Sequence, residues 1–401
     1  MTETTTGEAE VLRLRQGIEV QMRRRILEAI ELVLEEELTE ALGTSRYERG
    51  EGRRGYRNGH ETRRITTAVG AQTLEVPRGR IFEDDGSSRE HRSELLPRYA
   101  RRTREVDEAI LGAYLAGANT RRIRKALAPL LGEEHLSKSA VSRVAARLKE
   151  LFAGWSERDL SEERYGILFL DGMHLKVRMA RRVISVPVLA ALGVMEDGTK
   201  RLVALRLAVS ESGGSWTSLV EDLQRRGMTT PALILTDGHK GLRKAMEAWP
   251  EAKVQRCTLH KWRNLAEHCP AHARRELKRD YDRILYAKDG LKAREAYQEF
   301  VSKWSSLCPA VVRSLEEAGH PLLTFYEFPK ALWRALRTTN SVENLNREFR
   351  RRTKTQASFS TEEAAVTLLY GLVAFGQIPM RKIDGHQHAA VLLEPVRAEA
   401  A

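Results

Sequence analysis

The sequence predicts an α/β protein: a mixed sheet in the order βββαβαβ, interrupted by a large all-helical insertion and preceded by a mainly helical N-terminal region. Three observations carry this. Between 165 and 257, apolar runs of strand length are first separated by a turn and then alternate with helical segments. From 258 to about 337, apolar residues recur at helical period with no strand signal. Residues 104 to 152 read as three short helices.

Taken in order, 1–45 forms a helix or helix pair: Ile18, Met22, Ile26, Ile30, Val33, Leu34, Leu38 and Leu42 share a stripe that ends near Gly43. In 46–100, GEGRRGYRNGH (50–60) reads as a basic glycine-rich loop. The following ETRRITTAVGAQTLEVPRGR reads as a hairpin turning around Val69, Gly70 and Ala71 and closed off by Pro77. FEDDGSSREHRSE (82–94) reads as a polar linker.

The three helices of 101–155 have the spacing of a helix-turn-helix, with Gly117, Asn119 or Thr120, and Ser137 at stops and caps. Lys138, Ser139, Ser142 and Arg143 would then lie near the start of the third helix, where recognition helices meet base edges, with Arg121 and Arg122 on the second. A plain three-helix packing unit fits the same pattern.

In 160–257, YGILFLDGMHLKVR, RVISVPVLAALGVMED and GTKRLVALRLAVSES give three strands with a turn at Asp197 and Gly198. SWTSLVEDLQRRG, PALILTDGH, KGLRKAMEAWP and AKVQRC then alternate helix and strand. The helical insertion occupies 258–337, further core helices 338–380, and 381–401 reads as a loose tail.

The chain has 401 residues, with 67 Lys and Arg against 55 Asp and Glu and a net charge of +12. The excess sits in clusters at 23–25, 101–104, 121–125, 274–279 and 347–354. Any one cluster reads as a solvated helix face, but their recurrence favours a polyanion such as a phosphate backbone. No apolar run approaches the ~18 residues of a membrane span, and MTETTTGEAEVLRLRQ has no signal-peptide core, so a cytoplasmic protein without membrane attachment is expected. Cys257, Cys269 and Cys308 are too few for a disulfide framework and are expected as free thiols.

Two apolar runs, LFLDG (168–172) and LILTDG (233–238), are each expected to end in Asp-Gly. A buried carboxylate needs a partner or a metal. If the two strands lie side by side, Asp171 and Asp237 meet, and a divalent cation resolves their repulsion. Oxygen-only donors suit Mg²⁺ or Mn²⁺. Asp-Gly is also a common turn dipeptide, which would account for either aspartate alone.

Together with these runs, GYRNG (55–59), VPR (76–78), TDGHKGL (236–242), QRCTLHKWRN (255–264) and TTNSVENLNREFRRRTK (338–354) resemble the Mutator-type transposases of bacterial insertion sequences, in the expected order from about 50 to about 375. The element order likewise resembles a ribonuclease H-like nucleotidyltransferase core. The resemblance implies a DDE triad of Asp171, Asp237 and Glu343 holding two divalent cations, Mg²⁺ or Mn²⁺, in each active site. It implies cleavage at transposon ends, strand transfer into target DNA, terminal inverted repeats as DNA partners, at least a homodimer in the working complex, and a place at the bacterial nucleoid.

Other readings stand beside these. Asn340 and Glu343 also have capping-box spacing. Cys257 and His260 form the CxxH element of the family. Zinc with His268 and Cys269 as further ligands would need adjacent His and Cys ligands, so local structure or DNA contact is favoured, with Arg256, His260, Lys261 and Arg263 on one basic patch. His239 is either a phosphate contact or plain surface, and Trp216, Trp262 and Trp333 are expected in cores. Arg347, Arg350, Arg351, Arg352 and Lys354 are expected on phosphates beside the scissile bond. A DNA-binding regulator without catalysis, or a ribonuclease H-like nuclease that cuts without joining, remains as an alternative.

Overall fold

The computed structural model describes residues 3–48, 52–67, 70–116, 123, 126–127, 138–179, 182–208, 212–239, 241–242, 246–355 and 361–393. Two compact units emerge, Met1–Ala145 and Ala146–Ala401.

The first unit opens with one long helix, α1 (Glu3–Leu42), which stops at Gly43, where φ is +66°. Leu34 is buried against Ile65, Leu74 and Val76 of a hairpin and against Leu96 beyond it, and Leu38 and Leu42, one and two turns on, are buried too. The strands are β1 (Gly55–Thr67), β2 (Gly70–Phe82) and β3 (Ser88–Glu90), all antiparallel. GYRNGH is therefore strand rather than loop. Its glycines misled because Gly59, at φ +74°, serves a register shift between Arg57 and His60. Pro77 does not end β2 either: it faces His60 beside that shift, where β3 has not yet paired, so no ladder N–H is demanded of it. The expected linker at 82–94 holds β3, because Arg80–Phe82 pairs with Ser88–Glu90 across a tight turn. Gly79 lets α1 close on the sheet, since a Cβ there would come within 2.6 Å of Leu38. Arg57 then ties strand to helix, donating to Glu35 at 2.5 Å and to Thr39 at 2.6 Å.

Helix α2 (Arg104–Leu115) buries Val106 and Ile110 with Ile123. The middle helix expected around 119–131 lies largely outside the described residues, and Arg121 and Arg122 with it. Helix α3 (Lys138–Glu157) follows.

The second unit is built on a five-stranded mixed sheet in the order β6-β5-β4-β7-β8. The antiparallel strands are β4 (Ile167–Met179), β5 (Arg182–Val194) and β6 (Lys200–Leu207), and β7 (Leu233–Thr236) and β8 (Lys253–Arg256) run parallel to β4. The turn before β6 forms at Asp197 and Gly198, where φ is +80° and Thr199 N donates to Asp197 at 2.8 Å. Helix α4 (Gly213–Arg225), capped by Ser212, connects β6 to β7 and buries Trp216, Leu219, Val220 and Leu223. These pack with Leu168, Leu170, Leu189, Ala191 and Ile234, so one face of the sheet is dry core.

The chain after β8 is helical, as its period predicts: α5 (Thr258–Glu267), α6 (Arg274–Leu285), α7 (Gly290–Leu307), α8 (Pro309–Ala318) and, after three 3₁₀ turns, α9 (Trp333–Leu336). Helices α10 (Asn340–Thr355) and α11 (Glu362–Ala374) return to the sheet, α10 against β4 and α11 against β6. Residues 381–393 are not a loose tail. Ile383, Ala389 and Leu392 are buried, and Ile383 N donates to Gly198 O at 3.0 Å. His386–Leu393 is a 3₁₀ helix with Ala389 and Leu392 one turn apart, a run too short for its period to stand out in the sequence, which is why the docking is invisible there. Among the described residues no helix is long and apolar enough to cross a membrane.

Candidate active site

Strand β4 does not end at Asp171. It continues eight residues to Met179 because β5 stays paired with it throughout, Asp171 facing Ala190 and Gly172 facing Leu189. What ends there is the other neighbour: β7 pairs with β4 only from Ile167↔Leu233 to Leu170↔Thr236. Asp171 and Asp237 are the next residues on each chain, so they stand at the same level where the β4–β7 pairing ends, Asp171 within β4 and Asp237 just past β7. Leu168, Leu170 and Ile234 point into the dry core, so the pleat puts Asp171 on the opposite face, the face α10 covers. Asp237 has the same parity.

Asp171 is only 6% exposed, and its partner is Asn346 on α10: Asn346 Nδ2 donates to Asp171 Oδ2 at 2.6 Å. Asn346 escaped the sequence reading. Its signal was available, since it follows Glu343 by three residues and so lies next to it on a helix surface, one step toward the inner side. Asp237, half-buried, accepts the His239 backbone N–H at 2.8 Å in the tight turn that Gly238 permits with φ +83°. His239 itself is exposed and accepts Gly241 N through Nδ1 at 3.2 Å.

Glu343 lies in the first turn of α10. The helix is capped by Thr339, whose carbonyl accepts the N–H groups of Val342 and Glu343, both at 2.9 Å. The Glu343 carboxylate faces away from a capping-box role: it lies 3.6 Å from His260 Nε2 and 3.7 Å from Arg263, and its buried Oε1 has no hydrogen-bond partner. Asn346 Oδ1 is likewise buried without one.

Cys257 precedes α5 and is fully buried, and His260 lies one turn into that helix. Thr339 donates its backbone N–H at 3.4 Å and its hydroxyl at 3.3 Å to Cys257 Sγ. Burial alone would raise the Cys257 thiol, but the hydrogen bond and charge of His260, with Thr339, leave it below its ordinary value. The reciprocal hydrogen bond to Cys257 outweighs burial at His260 and, with the charges of Glu343 and Asp237, holds the imidazole up to about 9. Cys257, Cys269 and Cys308 are all free of disulfides.

The expected basic patch splits in two. His260 and Arg263 face Glu343, whereas Arg256 and Lys261 are buried, Lys261 to 1% exposure, and both pair with Glu317 at 3.0 and 2.8 Å. Lys261 also donates to Ser314 O at 2.8 Å. These two cations hold α8 to the sheet and the start of α5 and are not presented to DNA, because burying a cation demands a fixed counter-charge that a dissociable ligand would not provide. On α10, Arg347, Arg350, Arg351 and Lys354 are exposed and, with Glu343, follow one helical stripe, while Val342, Leu345, Asn346, Phe349 and Thr353 are buried on the inner side. Arg351 pairs with Glu348 at 2.6 Å, and Arg352 is half-buried.

Ser142 and Arg143 are exposed on α3; the side chains of Lys138 and Ser139 lie outside the described residues. Trp216 is core as expected, while Trp262 and Trp333 are half-buried. Trp262 lines an open cleft of about 770 Å³ with Arg275, Lys278, Arg279 and Tyr286, a concentration of positive charge and aromatic surface on the helical insertion.

The family described as "Transposase, Mutator family" matches residues 1–376. The chain is 33% identical over 369 residues to the transposase for insertion sequence element IS905 of Lactococcus lactis subsp. lactis (strain IL1403), covering 91% of each chain. It is 34% identical over 356 residues to the transposase for ISRM5 of Rhizobium meliloti (strain 1021), covering 88% of this chain and 86% of that one. To the transposase for IS256 in transposon Tn4001 of Staphylococcus aureus it is 31% identical over 345 residues, covering 84% and 85%. With a family match spanning nearly its whole length and relatives of this similarity aligned over most of theirs, the chain belongs to the Mutator family of transposases.

Proposed function

We propose that this chain is a DDE transposase with a ribonuclease H-like core, in which Asp171, Asp237 and Glu343 serve metal-dependent cleavage at insertion-sequence ends and strand transfer into target DNA. One observation supports this most. The buried Asp171 lies on β4 at the level where Asp237 leaves β7, and the helix carrying Glu343 docks on β4 through the Asn346–Asp171 hydrogen bond. The relatives, named as insertion-sequence transposases, favour the same reading.

The donor types suit Mg²⁺ or Mn²⁺: all three acidic side chains offer hard oxygens, two stand at one level where the β4–β7 pairing ends, and Oε1 of Glu343 and Oδ1 of Asn346 are buried without hydrogen-bond partners. The three carboxylates are not gathered within 4.8 Å of one another, as Cys257, His260 and Glu343 are, so cations between them would have to draw Glu343 toward the aspartates. Two bound cations would supply activation of the attacking oxygen and stabilisation of the leaving oxygen of a phosphodiester. Asn346 holds the Asp171 carboxylate in one orientation, and His260 and Arg263 hold Glu343 at the mouth of the site. Arg347, Arg350, Arg351 and Lys354 extend from Glu343 along one stripe and neutralise phosphates there without reading bases. Residues 101–155, with Arg143 and Ser142, read the terminal inverted repeats, and joining two ends requires at least a dimer.

The test is joining of labelled oligonucleotides, taken from the DNA flanking the gene, to plasmid DNA in Mg²⁺. Wild type yields joined product, while Asp171→Asn, Asp237→Asn and Glu343→Gln yield none yet unfold cooperatively. Cutting without joining in the wild type would make the chain a nuclease, and binding alone would make it a regulator.

A further inference from the structure

Cys257, His260 and Glu343 each offer a ligand atom, and these atoms all lie within 4.8 Å of one another. Among the described residues this is the group that gathers around the CxxH element, in place of His268 and Cys269. Neither His268 nor Cys269 belongs to it. We propose that Cys257, His260 and Glu343 form a site for one thiophilic divalent cation of the zinc type, with a fourth position left to water or substrate.

The geometry comes from two helix starts that meet. Cys257 caps α5 and His260 follows within its first turn, while Glu343 sits in the first turn of α10. Partial positive charge at both helix N-termini favours a thiolate and a carboxylate there. The two hydrogen bonds from Thr339, the residue that caps α10, point at Cys257 Sγ and lower the cost of holding it as a thiolate inside the fold. A tetrahedral zinc ion, with bonds of about 2.0 to 2.3 Å, holds its ligand atoms about 3.5 Å apart. The contraction needed is therefore little more than about 1 Å, within the reach of small side-chain rotations because the imidazole and carboxylate are each about a quarter exposed. Glu343 Oε1, buried and without a hydrogen-bond partner, would gain the cation as its partner.

The thiolate decides which cation enters. Mg²⁺ and Mn²⁺ take oxygen donors, whereas zinc and cobalt(II) accept a thiolate, an imidazole and a carboxylate together. Glu343 is thus shared between two donor sets, the acidic one with Asp171 and Asp237 and the soft one with Cys257 and His260. Where Glu343 serves cleavage, filling the soft site withdraws it, so zinc acts as a brake; this last step rests on the proposed function, and the site itself does not.

The experiment is titration of the full-length protein with Co²⁺, followed by thiolate-to-cobalt charge-transfer absorption and by displacement with Zn²⁺. One equivalent is expected to bind. The doubly substituted Cys269→Ser, Cys308→Ser protein, whose single thiol is Cys257, keeps the band, and Cys257→Ser in the wild-type background loses it. His260→Ala and Glu343→Gln each weaken binding at least about tenfold, since removal of a direct ligand exceeds the loss seen for its supporting neighbours. Absence of a thiolate band from the single-thiol protein, or affinity unchanged in Glu343→Gln, overturns the proposal. In a parallel arm, micromolar Zn²⁺ suppresses Mg²⁺-dependent joining by wild type. A cobalt band without that suppression supports the site and separates it from any catalytic role of Glu343.

Discussion

Asn346 on α10 donates a 2.6 Å hydrogen bond to Asp171 in the middle of β4, joining a residue 2% exposed to one 6% exposed. It answers how a carboxylate survives behind the four apolar residues Ile167–Leu170: the adjacent parallel strand ends, and a helix brings an amide into the opening. It also makes Asn346 the residue through which the position of α10 is transmitted to the acidic pair.

Replacing Asn346 with Ala is expected to destabilise the second unit by about 2 kcal/mol, the scale of a buried hydrogen bond to a charged group. Joining should fall about 10- to 100-fold, with a higher Mg²⁺ concentration for half-maximal activity, as for supporting residues of metal ligands generally. Asn346→Asp should be worse than Ala, because it sets a second carboxylate against Asp171. Thermal unfolding and Mg²⁺ titration of joining measure the two effects, and an Ala variant with wild-type Mg²⁺ dependence would remove Asn346 from the site.

Gly238 is constrained twice. Its φ is +83°, and a Cβ would fall 1.8 Å from Arg256 Nε. Gly238→Ala should therefore cost more than about 2 kcal/mol, since the strained backbone and the displaced guanidinium add. Denaturant unfolding checks this. A shift below ~1 kcal/mol would mean the turn rearranges freely.

How much of this was legible depends on how far each determinant reaches. The turn at Asp197 and Gly198, the stop of α1 at Gly43 and the helical run after β8 are set by neighbours in the chain, and the sequence announces them. The equal level of Asp171 and Asp237 was readable because two similar runs end in the same dipeptide. The exit of β4 was not, because β5 decides it: thirteen consecutive pairs carry β4 past the Asp-Gly that looks like a stop. The burial of Arg256 and Lys261 was hidden for the same reason. Their counter-charge, Glu317, comes from α8, and a basic run beside a proposed active site looks identical whether it faces DNA or a distant glutamate.

Glu317 carries a pH dependence that follows from this pairing. Burial would raise its carboxyl, but the hydrogen bonds and charges of Arg256 and Lys261 outweigh that and bring it from 4.5 to about 2. A folded value below the unfolded one means stability fully present above about 4.5 and lost as pH falls through about 2. Glu317→Gln should cost about 3 kcal/mol at neutral pH, the low end for breaking a buried ion pair because Glu317 is partly exposed. It should also flatten the loss of stability between those two pH values. Denaturant unfolding across that range measures both, and parallel wild-type and variant curves would refute the pairing.

The stripe on α10 and the exposed Arg143 on α3 make opposite predictions about DNA. Arg347, Arg350 and Lys354 are exposed at i, i+3 and i+7 on the side of α10 that carries Glu343. A residue that neutralises phosphate contributes the same free energy on any sequence, through release of condensed counterions. Changing these three to Gln should weaken binding to end and random duplexes alike, and reduce the slope of log affinity against log salt by about 1 for each charge removed. Arg143→Ala should instead narrow the difference between end and random sequence, by about 1–3 kcal/mol for one lost base contact. Fluorescence anisotropy at several salt concentrations separates them. If the α10 variant lost only its preference for the end, the stripe would be reading bases and the phosphate assignment would fail.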